Sequence, residues 1–279
     1  MKYKLLAIDL DGTILKDNHQ LNPYSQKLIQ QLKVHYHVLI VTGRHHTAAK
    51  PYYEQLQLDT PIICCNGTYI YDYQQDTVLY ENAINKDLAT YFIHSSEQHQ
   101  LKMVMYITDA MVYSLEDPIA YMKPLDAWAK TFPKTKQPNI YQTDEFTSLI
   151  TATDYIWKFV VEGDLLTLQK FLQQDWIKDK FEGAWSASSR IDLAKVGNNK
   201  GNALAHYAKK IGIKPENIVA VGDNFNDIPM LRFAGVGIAM QQANAEVKVC
   251  ADIISDTDNH GDGVARILQQ HFPIDGAEE

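Results

Sequence analysis

Four short runs along the chain are wholly apolar: Leu5-Leu6-Ala7-Ile8, Val38-Leu39-Ile40-Val41, Ile62-Ile63-Cys64-Cys65 and Ile218-Val219-Ala220-Val221. Runs of this length without polar alternation suit strands covered on both faces, as in a parallel sheet. Helical patterns lie between them. Asn22-Pro23 predicts an N-cap and a first helical residue, followed by Leu28, Ile29 and Leu32 at helical spacing. Asn199 predicts the cap of another helix carrying Ala203, Leu204, Tyr207, Ala208 and Ile211, stopped at Gly212. Strand-helix-strand alternation predicts an α/β core with a doubly wound, mostly parallel sheet and right-handed crossovers.

The pattern changes in the middle. Leu101 to Ile107 and Met111 to Leu115 flank Thr108-Asp109-Ala110, which predicts a hairpin. Trp157 to Val161 predicts another strand, and Leu165, Leu168, Phe171 and Leu172 a helix. Parallel-strand signals stop before this stretch and resume after it. The expected organisation is a core in two pieces, 1–83 and 190–279, interrupted by an α+β unit at 84–189.

Composition sets outer limits. The chain has 279 residues, of which 46% are hydrophobic, enough for two domain cores at about 150 residues per domain. Lys plus Arg is 26 against Asp plus Glu at 34, a formal charge of −8. That argues against nucleic-acid or anionic-membrane surfaces as partners. The three cysteines, Cys64, Cys65 and Cys250, form no CxxC pair, so neither a disulfide framework nor a zinc site is expected. The opening residues hold only four apolar positions in a row before Asp9, too short for a secretory signal. A reducing, cytoplasmic setting is the expectation.

Each apolar run ends on a polar residue. Ligands of open parallel sheets bind outside the carboxyl ends of the strands, near the switch point. There, Asp9, Asp11, Thr42, Asn66 and Asp223 are expected to converge. Asp9 and Asp11 stand two apart, and Gly12 permits an immediate turn. Two nearby carboxylates repel unless a cation lies between them or one takes a proton. Asp223 and Asp227 form a second acidic cluster, although Asp227 also reads as the cap of a short helix. Hard carboxylate oxygens from two strand ends are what Mg²⁺ prefers. Lys200, in the first turn of its helix, reads alone as a solvated surface lysine; an anion bound at that helix start would change the sign of the argument. Thr42-Gly43-Arg44 adds a hydroxyl, a close-approach glycine and a cation. His45 and His46 read as solvated helix residues. Tyr69 to Tyr80 alternates like a hairpin face.

In order along the chain, these segments resemble the motifs of the haloacid dehalogenase-like (HAD) hydrolases, specifically the Cof-type phosphatases. Asp9-Leu10-Asp11-Gly12-Thr13 is similar to motif I, Val41-Thr42-Gly43-Arg44 to motif II, Lys200-Gly201 to motif III, and Gly222-Asp223-Asn224-Phe225-Asn226-Asp227 to motif IV. Asn66-Gly67 resembles the branch's asparagine-glycine element. The resemblance implies a Rossmann-like core with a large α/β cap between motifs II and III. It implies Asp9 as nucleophile and Asp11 as acid and base. Asp9, the Asp11 carbonyl and Asp223 would bind Mg²⁺, with Asp227 supporting it directly or through water. Thr42 and Lys200 would hold phosphate oxygens, Asn226 would position phosphate or Lys200, and Asn66, Gly43 and Arg44 would line the substrate's entry. The implied activity is hydrolysis of small soluble phosphomonoesters through an aspartyl-phosphate.

There are departures from the family pattern. Met240-Gln241-Gln242-Ala243 stands where the branch often has Met-Gly-Asn-Ala, Asp192 where Glu is usual, and Asn198 where Val is common. Two other readings remain: a sugar phosphomutase of the same superfamily, and a receiver-type domain that accepts phosphate as a signal. In the latter the acceptor Asp ends the third strand, where this chain has Asn66.

Overall fold

The computed structural model describes residues 2–273. The chain opens with β1 (Leu5–Ile8), α1 (Pro23–Leu32), β2 (His37–Ile40), α2 (His46–Leu56), β3 (Ile62–Cys64), β4 (Tyr69–Asp72) and β5 (Thr77–Glu81). The middle adds α3 (Lys86–Gln98), β6 (Lys102–Ile107), β7 (Ala110–Tyr113), α4 (Met122–Ala129), β8 (Ile140–Gln142) and α5 (Phe146–Ala152). It continues with β9 (Ile156–Glu162), α6 (Leu165–Leu172), α7 (Asp175–Lys180), β10 (Phe181–Ala187) and β11 (Arg190–Lys195). The last part is α8 (Lys200–Lys210), β12 (Ile218–Gly222), α9 (Ile228–Phe233), β13 (Val236–Ala239), α10 (Ala245–Lys248), β14 (Ile253–Ile254) and α11 (Gly263–His271).

Contacts divide the chain into two compact units: residues up to Gly43, 51–79 and from Asn199 onwards in one, and Arg44–Lys50 with Tyr80–Asn198 in the other. In the first unit a parallel five-stranded sheet runs β14-β13-β12-β1-β2. Every residue of β1 and β12 is buried, as the unbroken apolar runs require. β1 lies between β12 and β2: the chain leaves it toward β2 and returns on its other side at β12. That reversal puts the switch point between β1 and β12. Ile8 lies level with both Val221 and Ile40, so three strands end in register. The Asn22 carboxamide caps α1, accepting from the N–H groups of Tyr24 and Ser25.

The third apolar run departs from the expectation of another strand in the parallel sheet. β3 pairs antiparallel with β4 in a separate three-stranded sheet, and a single parallel bridge, Val41 to Ile63, links it to the end of β2. β4 and β5 account for the alternating Tyr69 to Tyr80 stretch.

In the second unit a six-stranded sheet runs β10-β11-β9-β6-β7-β8. The predicted hairpin is β6–β7, closing at Ile107 opposite Ala110. One sheet face buries Met103, Met105, Phe159, Val161, Ile191 and Leu193 with Phe92 of α3 and Phe171 of α6. The phenyl rings of Phe92 and Phe159 stack at 4.2 Å. The return crossing differs from its predicted position at 189/190. β11 pairs antiparallel with both β9 and β10, so residues 190–198 belong to this unit. Its Ile191 and Leu193 are buried in this core, which no signal in Arg190–Lys195 alone distinguishes from a strand of the other sheet.

Candidate active site

The first unit assembles the candidate site at the carboxyl ends of β1 and β12. Asp9 leaves β1 and is 5% exposed. The chain then turns sharply, with the Leu10 carbonyl accepting from the N–H groups of Thr13, Ile14 and Leu15. Gly12 makes that turn possible with φ +75°, and a Cβ there would lie 2.3 Å from Asp223 Oδ2. The same glycine thus permits the turn and lets the carboxylate from β12 approach it. The Thr13 hydroxyl donates to Asp223 Oδ1 at 3.3 Å.

Lys200 is fully buried, not the solvated lysine its position suggests. Asn199 caps α8 as predicted, its side chain accepting from Asn202 N–H. The lysine side chain turns inward, and its Nζ donates to Asp9 Oδ1 at 2.7 Å and Asp227 Oδ1 at 2.6 Å. Two carboxylates supply the compensation that a buried cation needs. Asp227 also corrects its sequence reading. It stands at the N-cap of α9 without a side-chain cap bond there. Its Oδ2 instead accepts from the N–H groups of Asp223 and Asn224, at 2.9 and 3.0 Å. Asp227 therefore holds both the lysine and the loop after β12.

Asp9, Asp223 and Asp227 each present an oxygen, all within 4.8 Å of one another. Three acids then face one lysine, a surplus of negative charge. Burial pushes the Asp9 carboxyl well above the usual range; Lys200 opposes the shift, while Asp227, Asp223 and Asp11 add to it. Burial and then Asp227 raise Asp223 to about 7. For Lys200 burial works against the charge, but Asp227 and Asp9 outweigh it and hold the ammonium protonated. The surplus can be relieved by a proton or by a cation, and an all-oxygen donor set fits a hard divalent ion.

Asp11 lies apart from this trio, its side chain 47% exposed and its Oδ1 3.8 Å from His19 Nδ1. His19 sits in a left-handed turn with φ +58°, its carbonyl accepting from the Tyr52 hydroxyl. Nothing in the sequence pattern marks a loop histidine as the neighbour of Asp11.

Thr42 is buried beyond β2; its N–H donates to the Ile63 carbonyl, and its own carbonyl accepts from Asn66 N–H at 3.0 Å. Gly43 provides a close approach, since a Cβ there would lie 2.9 Å from Asn66 Oδ1. Asn66 takes left-handed φ +58° and accepts from Asn226 Nδ2 at 2.9 Å. Asn226 thus bonds Asn66, while the Lys200 bonds run to Asp9 and Asp227.

Arg44 groups with the second unit, its guanidinium 5.2 Å above the Trp128 ring. His45 and His46 belong there too and are buried, contrary to the solvated reading. His45 Nδ1 accepts from Thr47 N–H at 3.2 Å, so Nε2–H donates to the Ile107 carbonyl at 2.9 Å. Burial lowers His45 to about 4 and His46 to about 2.

The family model described as haloacid dehalogenase-like hydrolase matches residues 6–268. The chain belongs to that family. It is 39% identical to the pyridoxal phosphate phosphatase YbhA of Escherichia coli (strain K12), over 98% of this chain and 100% of that one. It is 30% identical to the 5-amino-6-(5-phospho-D-ribitylamino)uracil phosphatase YitU of Bacillus subtilis (strain 168), over 97% and 98% of the two chains. A crystal structure of a haloacid dehalogenase-like hydrolase from Bacteroides thetaiotaomicron superposes with a TM-score of 0.83 at 25% identity, covering 97% of this chain and 100% of that one. Among the described residues no helix is long and apolar enough to cross a membrane.

Proposed function

We propose that the chain is a Mg²⁺-dependent phosphatase of small phosphorylated metabolites, with pyridoxal 5′-phosphate as the first substrate to test. The observation that carries the reading is the buried Asp9–Lys200–Asp227 arrangement with Asp223 beside it. A carboxylate oxygen, a buried cation and surplus acids so close together support a nucleophile, a charge-neutralising group and a metal site. Asp9 attacks phosphorus, a bond forms from its carboxylate oxygen, and the ester oxygen leaves. Asp11 donates the proton that the leaving oxygen takes up, then removes a proton from the water that hydrolyses the aspartyl-phosphate. Lys200, already neutralising Asp9, and the Thr42 hydroxyl hold phosphate oxygens as charge redistributes. Asn66 and Asn226 brace one another and with Gly43 would line the substrate's approach; for Arg44 the same role rests on the Thr42-Gly43-Arg44 motif alone. Asp9, the Asp11 carbonyl and Asp223 would hold Mg²⁺, and the hydrogen bonds that occupy Asp227 favour its acting through water. When bound, the ion supplies electrostatic stabilisation of the phosphoryl oxygens.

The 80–198 unit is read as an inserted cap, and the compartment as the cytoplasm. Pyridoxal 5′-phosphate is favoured by the 39% identity to YbhA across nearly the whole chain. The receiver reading is set aside, because the family model spans 6–268 and Asn66 replaces the acceptor that a receiver needs.

A panel of pyridoxal 5′-phosphate, flavin mononucleotide, sugar phosphates and nucleotides, assayed for inorganic phosphate with and without Mg²⁺, tests the reading. Mg²⁺-dependent release that chelation abolishes is the expected result. An isomerised sugar phosphate without free phosphate would establish the mutase instead. No Mg²⁺-dependent release from any ester would sink the phosphatase.

A further inference from the structure

The loop after β13 reaches back to the turn after β1. Two backbone bonds tie it to neighbouring segments and a third closes its own turn. Met240 N–H donates to the Gly222 carbonyl at 3.0 Å, Gln241 N–H to Ser255 Oγ at 2.9 Å, and Ala243 N–H to the Met240 carbonyl at 3.0 Å. From this anchored turn the exposed Gln242 sends its Nε2 to the Gly12 carbonyl at 2.5 Å. Gly12 lies between Asp11 and Thr13 and abuts Asp223. The Leu10 carbonyl holds this turn from within; Gln242 holds it from without.

We propose that Gln242 is a positioning residue whose amide clamps the Gly12 carbonyl, fixing the turn that presents Asp11 and Thr13. This role rests on the phosphatase reading, in which Asp11 moves the proton. The clamp is specific to a side chain of glutamine length. Asparagine, often found here in the branch, is shorter by one methylene, roughly 1.5 Å of reach, and the backbone bonds of Met240 and Gln241 hold the loop against moving in to compensate. The Gly12 φ of +75° makes the turn sensitive, since few residues hold that backbone conformation without support.

Two variants test it: Gln242→Met, which keeps the length and loses the donor, and Gln242→Asn, which keeps the donor and loses the reach. In each, kcat falls about 3- to 10-fold, the size of one lost hydrogen bond. KM stays within about twofold of the wild type. Hydrogen–deuterium exchange quickens over residues 9–15 in the Mg²⁺-free protein, while the thermal midpoint stays within about 2 °C. Wild-type kcat in either variant overturns the clamp. So does a raised KM at unchanged kcat, which would place Gln242 on the substrate, and so does unchanged exchange over 9–15. A wild-type protein without Mg²⁺-dependent phosphate release defeats the phosphatase reading instead, and the exchange comparison still decides the clamp.

Discussion

Both units bury a lysine against aspartate, and the difference between the two places is the charge that is left over. In the second unit Lys158 is 3% exposed and pairs with Asp192, 16% exposed, while its ammonium also lies 4.4 Å from the centre of the Tyr106 ring. Asp192 offsets the lysine's charge, and the aromatic face adds to its solvation. In the first unit Lys200 meets Asp9 and Asp227, with Asp223 alongside. Burial is comparable, but the second arrangement is balanced as it stands and the first is balanced only after something else binds. A buried ion pair is weak evidence of function; a buried pair with surplus acid is stronger, because the protein bears a cost that a proton or a bound cation must relieve.

The sharpest break of this comparison is Asp9→Asn. The amide keeps the shape and cannot form the proposed acyl-phosphate, so under that mechanism phosphate release from whichever ester the panel identifies should fall by about three orders of magnitude or more. An Asp9→Asn protein that retains activity would remove the nucleophile from the scheme. Next in size is Lys200→Met. It leaves the acids buried without their cation and should cost about 3–5 kcal/mol in urea unfolding of the metal-free protein at pH 8. The loss should shrink toward pH 5, where the acids take up protons. A loss that does not depend on pH would mean that packing, not charge, is what the lysine supplies.

The surplus itself predicts a pH dependence. Asp223 titrates near 7 in the fold against 3.8 for a free aspartate. Between those values the folded state holds a proton that the unfolded state has lost, so this group removes stability as pH rises from about 4 to about 7. The two histidines of the second unit act in the opposite sense. With His45 lowered to about 4 and His46 to about 2, they remove stability as pH falls from about 6.5 through that range. Asp223→Asn should therefore stabilise the metal-free protein at pH 8 by about 1–3 kcal/mol, relieving part of the roughly three-unit shift. It should also abolish the Mg²⁺-induced rise in thermal midpoint. Calorimetry in buffers of different ionisation enthalpy should show wild-type Mg²⁺ binding releasing protons, with affinity dropping by up to about tenfold from pH 7 to pH 6. Affinity independent of pH would refute the protonated Asp223.

The parallel core and its motif residues were legible because each carries a strong local signal: an unbroken apolar run, then an acid, a threonine or a glycine. The cap of α8 was legible for the same reason. What was not legible depended on partners far along the chain. Lys200 looked like a surface residue because nothing near it in sequence supplies Asp9, 191 positions away. His45 looked solvated because its acceptor, the Ile107 carbonyl, lies 62 positions away. Asp227 reads as the N-cap of the helix that follows it because forward capping is common, whereas its carboxylate bonds backwards to Asp223 and Asn224, closing a capping box on the 3-10 turn Phe225–Asp227. β11 was placed in the wrong unit because a short strand does not declare its sheet. Gln242 was visible as a departure from the family, but its bond to Gly12 spans 230 positions and needs the assembled fold.

The smallest expected effect tests the balanced member of the comparison. Lys158→Met alone strands Asp192 and should cost about 2–4 kcal/mol, somewhat reduced because Asp192 keeps access to water. The double variant Lys158→Met with Asp192→Leu replaces both charges by apolar groups of similar size. Its cost should return to within about 1 kcal/mol of the wild type, read as urea unfolding and as amide exchange in β9 and β11. The corresponding double change in the first unit, Lys200→Met with Asp227→Leu, should show no such return. It leaves Asp9 and Asp223 without their cation, and it strips the Asp223 and Asn224 N–H groups of their acceptor. Equal recovery in both places would erase the distinction between an ion pair that the fold has completed and one that still awaits a ligand.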